Sequence, residues 1–431
     1  MHVYRLTRSL ALSTATFALV AGAAPAAFAA EECVGQVPQV RMIAQPQPAM
    51  THLDTVKGEF EAKWQTTVEI VMLGENERRA RSRLDASTGA GSYQVYYIDE
   101  ANVAEFASAG WVLPLLDHYP EEYDFDDFLA ARLAVAQFEG QPYFAPFMGG
   151  GDLMFYRADI LEEAGLEPPT TLDEMIAVVE ALHNPPEIYG WSARGRRGSG
   201  MNVWRWTPFF VAEGGEWFED TTPVFNSDAA VRATETYLQL MQFAPPGVGT
   251  FTWSEVVEGF RAGQVALIVE SDVFGPWMED EAASAVVGLV GYAPPPDPLP
   301  SAGFAHGLAI ASDGNPTECS VAVSADFVGW ATSREMEESR MQAGLFSDFA
   351  RASTLEHPLF VENVNPDYIQ ALLDTEPKTD LWIWAEPEWP EVGDQLGLVL
   401  EEIFTGSRPD IQSALDEAAD YAEEFVRRSR R

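Results

Sequence analysis

The chain is 431 residues long, 47% apolar, and carries a formal net charge of −41. That length has room for two domains, and the apolar share is enough for a full hydrophobic core. A charge of that sign and size excludes nucleic acid and anionic membrane as partners, because both are polyanions. Lysine occurs only at Lys57, Lys63 and Lys378, so arginine supplies nearly all of the basic charge. Acid excess with little lysine fits a protein kept soluble in strong salt, where screening weakens self-repulsion. It fits equally well a chain from an acidic, GC-rich organism.

Residues 1–29 read as a secretory signal. Arg5 and Arg8 form its basic region, Leu10 to Val20 its apolar stretch, and Ala27-Phe28-Ala29 a small-x-small cleavage site. The apolar stretch is too short and too alanine-rich for a membrane anchor, and no later run is long enough to span. The mature protein is expected to be exported, soluble and periplasmic. Cys33 follows Ala30-Glu31-Glu32 rather than an apolar-small-small run, so lipidation is not expected. Cys33 and Cys319 are the only cysteines. In an oxidising compartment they either bond, tying down the new N-terminus, or stay as two thiols. The lack of a competing cysteine favours the bond.

From Gln39 the pattern alternates. A strand over 39–43 is followed by the polar break Gln45-Pro46-Gln47-Pro48, a helix over 51–64 and a strand over 67–73. A helix over 76–86 and the turn Gly89-Ala90-Gly91 lead to a strand at Val95-Tyr96-Tyr97-Ile98. Strands alternating with helices predict mainly parallel sheets flanked by helices. Such sheets bind ligands beyond the carboxyl ends of their strands. Gln45 and Gln47, Glu75 and Asn76, and Asp99 and Glu100 follow three successive strands, so all should converge on one sheet edge. One such acid can serve as a helix cap; three polar pairs at equivalent positions are harder to explain that way.

An acidic helical region is expected over 121–137. Pro146 and Gly149-Gly150-Gly151 then break the chain between two apolar strand-like runs, as at a crossover between lobes. The glycines lack the Gly-Lys-Ser/Thr ending of a phosphate loop. Thr171-Leu172-Asp173-Glu174 after two prolines marks a helix start. Residues 263–270 read as a buried strand ending on Glu270, and 294–300 as a rigid proline-rich connector. Helical patterns dominate from Glu318 to the end.

The six histidines form no HExxH or paired spacing, so no metal or other cofactor is expected. There is no Gly-x-Ser-x-Gly elbow. Carboxylates are too numerous to single out a glycosidase pair. Tryptophans crowd the second half: Trp191, Trp204, Trp206, Trp217, Trp253, Trp277, Trp382, Trp384 and Trp389. An indole can cover the apolar C–H face of a sugar while acids, amides and arginines take its hydroxyls. Most of these rings should nevertheless be core, with two or three touching a ligand.

The order of four segments carries a resemblance over nearly the whole mature chain. "LGENERRARSRLDASTGAGSYQVYYID" resembles a segment of sugar and sugar-alcohol binders, with Gln94 where Asp is usual. "GGGDLMFYRADILEEAGLEPPTTLDEM" resembles an interlobe crossover, and "ARGRRGSGMNVWRW" an element of a polyol-binding branch. "FTWSEVVEGFRAGQVALIVESD" is similar to the segment that follows in the same proteins. The chain thus resembles extracellular solute-binding proteins of ABC importers, in the carbohydrate- and polyol-binding, maltose-binding-protein-like class (family 1).

That resemblance implies a type II periplasmic-binding-protein fold: two α/β lobes, hinge crossovers, and a ligand held between them. The expected lobes are 34–148 plus 304–352, and 149–303 plus 353–431. The family's positions suggest Glu75, Asn76, Asp99, Glu100, Asn102, Gly150, Asp152, Arg194, Asn202, Trp253, Glu270 and Asp272 as cleft residues. Gln45, Trp204 and Trp389 join them, and His306 stands where many relatives have Trp. Ser199 replaces an aromatic of the polyol branch. The expected role is non-enzymatic capture of a sugar or polyol by a monomer and its delivery to membrane permease subunits. In that reading Trp253 and Trp389 cover the ligand, while Asp99, Glu100, Asp152 and Glu270 accept its hydroxyl protons. Arg194 and Asn202 donate to its oxygens. A binder of a peptide or compatible solute, and a secreted glycoside hydrolase, are the competing readings.

Overall fold

The computed structural model describes residues 30–431 except 313 and 315. The expected secretory signal lies outside the described residues. The main strands are β1 (Gln39–Ala44), β2 (Thr67–Met72), β3 (Val95–Asp99), β4 (Ala145–Gly150), β5 (Asp152–Arg157), β6 (Tyr189–Trp191), β7 (Val265–Ser271), β8 (Val290–Ala293) and β9 (Phe304–Ile310). They form two sheets, in the orders β2-β1-β3-β9-β4 and β8-β5-β7-β6.

In the first sheet β1 is parallel to β2 and β3, while β9 runs antiparallel to β3 and β4. Only β9 is therefore reversed. In the second, β5 is antiparallel to β7 and β8, and β7 is parallel to β6. Only β5 is reversed there. The cause is the crossover. β5 follows β4 after the single residue Gly151, so it enters its sheet at the edge where the other strands end. A strand entering there must run against its neighbours. β9 re-enters the first sheet in the same sense. The carboxyl ends of the forward strands of both sheets consequently face the crossover.

Both faces of the first sheet are buried, as continuous apolar strands require. Met42, Val95, Tyr97 and Leu308 join one core, and Ile43, Tyr96, Ile98 and Ala309 the other, following the two-residue alternation of a strand. A third core joins β5 and β7 to the C-terminal helices through residues such as Phe155, Ile268, Leu396 and Leu415.

Helix Leu172–Leu182 starts on a full capping box between Thr171 and Glu174. The helix expected over 76–86 spans Glu75–Thr88 and stops at Gly89, whose φ of 62° gives a left-handed cap. Two expectations change. The helix expected over 51–64 is two, Pro48–Val56 and Gly58–Trp64, which meet at Lys57 beside the weak helix former Gly58. The acidic region 121–137 forms two short 3-10 turns and only one α-helical stretch, Ala130–Val135. There the Tyr123 and Asp124 carbonyls accept from the buried Arg351 guanidinium at 2.7 and 2.8 Å, and the Asp124 carbonyl also takes the Asp127 N–H of a 3-10 turn at 3.1 Å, so the chain does not run on as an α-helix.

Cys33 and Cys319 are bonded, with Cα atoms 5.2 Å apart. The bond ties the first described turn to helix Glu318–Ala331. Replacing both cysteines by serine is expected to cost about 2–5 kcal/mol of stability, because the cross-link restrains a very long loop in the unfolded chain. Urea unfolding of the variant and of the oxidised protein measures this; equal midpoints and slopes would contradict it.

Candidate functional site

Between the two strand edges lies a cavity of about 70 Å³. Its first-sheet wall comes from residues just beyond strand ends. Gln45 and Gln47 follow β1, Glu75 and Arg79 open helix Glu75–Thr88, and Glu100 follows β3. His306 lies on β9 directly opposite Asp99. The facing wall comes from Arg194, Trp204 on helix Asn202–Ala212, and Trp253 at the start of helix Trp253–Arg261. Phe274 and Trp277 follow β7; the Trp253 and Phe274 rings are stacked at 5.6 Å and 20°.

The walls meet closely. A Cβ on Gly200 would lie 2.6 Å from Glu75 Oε1 and 2.7 Å from Arg79 Nη1, so glycine is what lets this loop touch the opposite wall. On another side the Trp277 indole N–H donates to Ser347 Oγ at 3.3 Å.

The two adjacent acids after β3 do different things. Asp99 is fully buried, with Oδ2 accepting from Arg78 Nη2 at 2.5 Å and from Arg79 Nε at 2.9 Å. Burial alone would raise its pKa, but the two guanidiniums override that and hold the carboxyl ionised far below the usual carboxylate range. Glu100 is also buried, accepts the Ala305 N–H at 3.2 Å, and sits 3.9 Å from His306 Nε2. Burial, and then the Asp99 charge, push its pKa up to about 8. Burial pushes His306 down to about 4. At neutral pH the cavity therefore meets a mainly protonated Glu100 and a neutral imidazole.

On the other wall Arg194 grips Glu270 with two bonds of 2.7 and 2.5 Å and gives Nη1 to the Gly200 carbonyl at 2.8 Å. A guanidinium has five N–H groups, so two remain. Asp152 pairs with Arg205 at 2.5 Å and accepts the Ala302 N–H at 3.1 Å. Asp272 accepts the Gly151 N–H at 2.8 Å, and burial lifts its carboxyl to about 7. A Cβ on Gly150 would fall 1.9 Å from Asp272 Oδ1, so Gly150 is the space that this carboxyl fills.

Of the residues anticipated from sequence, Gln45, Glu75, Glu100, Arg194, Trp204, Trp253 and His306 line the cavity. Asp99 and Glu270 stand behind it as partners of the lining arginines Arg79 and Arg194. Asp152, Asp272 and Gly150 belong to the crossover. Asn202 is turned to structure: its amide donates to the Gly195 and Gly397 carbonyls at 3.1 and 2.8 Å. Trp389 is a core residue, 1% exposed with its ring 4.9 Å from Trp217, and it stands outside the lining of this cavity. Asn102 is buried ahead of helix Val103–Ser108, and Asn76 is exposed.

Arg79, Met148, Phe274, Phe304 and Asp348 also line the cavity without having been singled out. Arg79 was within reach of sequence reasoning, lying four residues after Glu75 on one helix face and 2.9 Å from it. Asp348, held at a left-handed φ of 60°, follows helix Arg334–Gln342 and has no local sequence signature.

Two α/β halves that close on a polar and aromatic cavity at their strand ends define a cleft-type ligand-binding protein. The chain belongs to the bacterial extracellular solute-binding protein family, which it matches over residues 51–338. It is 26% identical over 384 residues to the mannitol-binding protein of Pseudomonas aeruginosa, a match covering 83% of this chain and 86% of that one. The crystal structure of an ABC transporter solute-binding protein from Agrobacterium radiobacter K84 in complex with ribitol is similar, with a TM-score of 0.83 at 25% identity over 91% of this chain and 99% of the other. A second, from Agrobacterium vitis S4 with bound D-mannitol, shares the fold with a TM-score of 0.82 at 22% identity over 91% and 99%. Among the described residues no helix is long and apolar enough to cross a membrane.

Two outcomes are expected at these acids. Glu100 has a raised folded pKa, so the native state binds more protons than the unfolded state between about 4.5 and 8. Its contribution to stability must fall as pH rises through that window. Glu100→Gln removes this loss, so the melting temperature of the variant minus that of the wild type should grow from pH 4.5 to pH 8. A flat difference would contradict the assignment. Glu270→Ala leaves Arg194 buried and unpaired, and should cost about 3–5 kcal/mol by urea unfolding.

Proposed function

We propose that this protein captures a small uncharged sugar alcohol, or a sugar of similar size, between its two lobes and hands it to the permease subunits of an ABC importer. It does so as an exported, unlipidated periplasmic monomer that performs no chemistry on its ligand. The lobes are taken as 34–148 plus 304–352, and 149–303 plus 353–431.

The observation that carries this reading is a cavity whose charges are already matched. Glu270 is held by Arg194, and Asp99 by Arg78 and Arg79, while Glu100 is protonated near neutrality. A cationic solute or peptide amine would find few free carboxylates, whereas an uncharged polyol meets both donors and acceptors. Gln45 Oε1, Gln47 Nε2 and His306 Nδ1 belong to lining residues and are buried without a partner among the described residues, which leaves hydrogen-bonding capacity for hydroxyls. Stacked Trp253 and Phe274, with Trp204 and Phe304, offer the apolar faces that the C–H side of a polyol needs. At ~10–15 Å³ for one water centre, the space takes about five waters, the volume of a short polyol rather than an oligosaccharide. A hydrolase would need two free carboxyls flanking the ligand; of Asp99, Glu100, Asp152 and Glu270, arginines hold all but Glu100, which leaves one.

The mechanism follows from the contacts. A ligand touching Glu75 and His306 on one side and Trp253 and Arg194 on the other interacts fully only when the lobes are together. Its binding therefore shifts the population toward closure. The relatives with mannitol and ribitol support the choice of ligand class.

Thermal-shift and calorimetric screens of ribitol, mannitol, hexoses and cationic compatible solutes test the reading. Stabilisation is expected from polyols or hexoses that are recovered unchanged. Trp253→Ala should weaken the best of them at least tenfold, about 1.4 kcal/mol, with little change in unliganded stability. Preferential binding of a cationic solute, or conversion of the ligand, would overturn it.

A further inference from the structure

Beyond the inner cavity lies a second chamber of about 550 Å³ between the same two lobes. Trp277 borders both spaces. We infer that the Trp277 indole is the partition that sets the upper size of ligand, shutting an otherwise usable outer chamber off from the site. This inference rests on the reading of the inner cavity as a polyol site.

Three features carry it. The first is position. Ser347 lines the outer chamber and its neighbour Asp348 the inner one, so the Trp277 to Ser347 contact lies where the two spaces meet. The indole hangs from the short helix Gly275–Met278, directly after the turn that leaves β7. Ser347 comes from the segment after helix Arg334–Gln342. The wall is thus made jointly by both lobes.

The second is bracing. The indole packs edgewise on Phe274 at 5.2 Å and 66°, and on Trp253 at 6.3 Å and 67°. The Arg261 guanidinium lies 6.0 Å from the ring centre. The hydrogen bond to Ser347, at 3.3 Å, is longer than the usual 2.7–3.2 Å range, so ring bulk and packing, more than that bond, make the wall.

The third is the chemistry of the outer chamber. Arg261 is 7% exposed, and its Nε is buried without a partner among the described residues. Asn365 and Glu279 are bonded to each other at 3.1 Å, and Tyr368 adds a buried aromatic ring. Aromatic faces beside amide, carboxylate and guanidinium groups repeat the composition of the inner cavity. A neutral hydroxylated ring attached to one end of a polyol would suit this chamber, and the indole stands in its way.

The test is calorimetric titration of the mature protein and its Trp277→Ala variant with ribitol, mannitol and maltitol, the last a glucosyl-extended polyol. The wild type should bind ribitol or mannitol at least a hundredfold more tightly than maltitol. In Trp277→Ala the small polyol should weaken about tenfold, as it loses an apolar face, while maltitol gains at least tenfold. Trp277→Leu, which keeps apolar bulk against Phe274 but is too short to reach Ser347, supplies the same comparison if the alanine variant fails to fold by circular dichroism. Small-polyol binding by the wild type with no gain for maltitol in either variant overturns the partition alone. A wild type that already takes maltitol as well as mannitol overturns it too. A wild type that binds none of the three removes the polyol reading, and the partition with it.

Discussion

The structure depends on one constraint: a charge taken out of water at a closing cavity must bring its counter-charge with it. An unpaired ion buried at such a place costs several kcal/mol, and attraction alone repays this only with good geometry. The site obeys this at each strand end. Asp99 is clasped by Arg78 and Arg79, Glu270 by Arg194, and Asp152 by Arg205. Among the described residues no guanidinium donates directly to Glu100, and it resolves the cost the other way, by keeping its proton. The arginines that line the cavity are therefore held rigidly by carboxylates behind them. Their remaining N–H groups point from fixed positions, which lowers the ordering cost of binding.

The same constraint shapes the crossover. Asp152 begins β5 one residue past the break and is fixed by Arg205 and by the Ala302 N–H of a different crossing segment. Asp272, at the end of β7, fills the space left by Gly150 and accepts from Gly151. The crossing strands are thus joined by carboxylate to backbone N–H bonds as well as by apolar contacts such as that of Trp204 with Phe304. Glu270 and Asp272 leave the same strand end on opposite duties, one holding the lining Arg194 and the other the crossover backbone at Gly151.

Much of this was legible in the chain. Strands β1, β2, β3 and β7 were visible as apolar runs, and the rule that parallel strands present ligand groups at their carboxyl ends located Gln45, Glu75 and Glu100. The helix at 121–137 was misread because its carbonyl partner, Arg351, lies more than two hundred residues away. The work of Asp99 was hidden in part. Its partners are near in sequence, but only the fold decides that the carboxyl turns toward Arg78 and not toward the cavity. The tryptophans show the limit most clearly. Trp389 and Trp277 look alike in sequence, and both are removed from water to a large degree. One fills the core beside Trp217 and the other walls a cavity. Composition and periodicity register burial, not what lies on the far side of the ring.

The pairing rule also bears on the surface. Arg78, Arg132, Arg194, Arg205, Arg261, Arg340 and Arg351 are all buried. The chain is short of basic residues to begin with, and many of these are placed where an acid must be neutralised or a carbonyl satisfied. The exterior is left with the acid excess behind the net charge of −41. Among the described residues ten acids are buried beside these seven arginines, so the interior is close to neutral and nearly all of the net negative charge stays on the exterior. At about 8 Å of screening length in physiological salt, neighbouring surface carboxylates still repel one another, and only higher salt relieves this. An anionic bilayer repels such a surface as well.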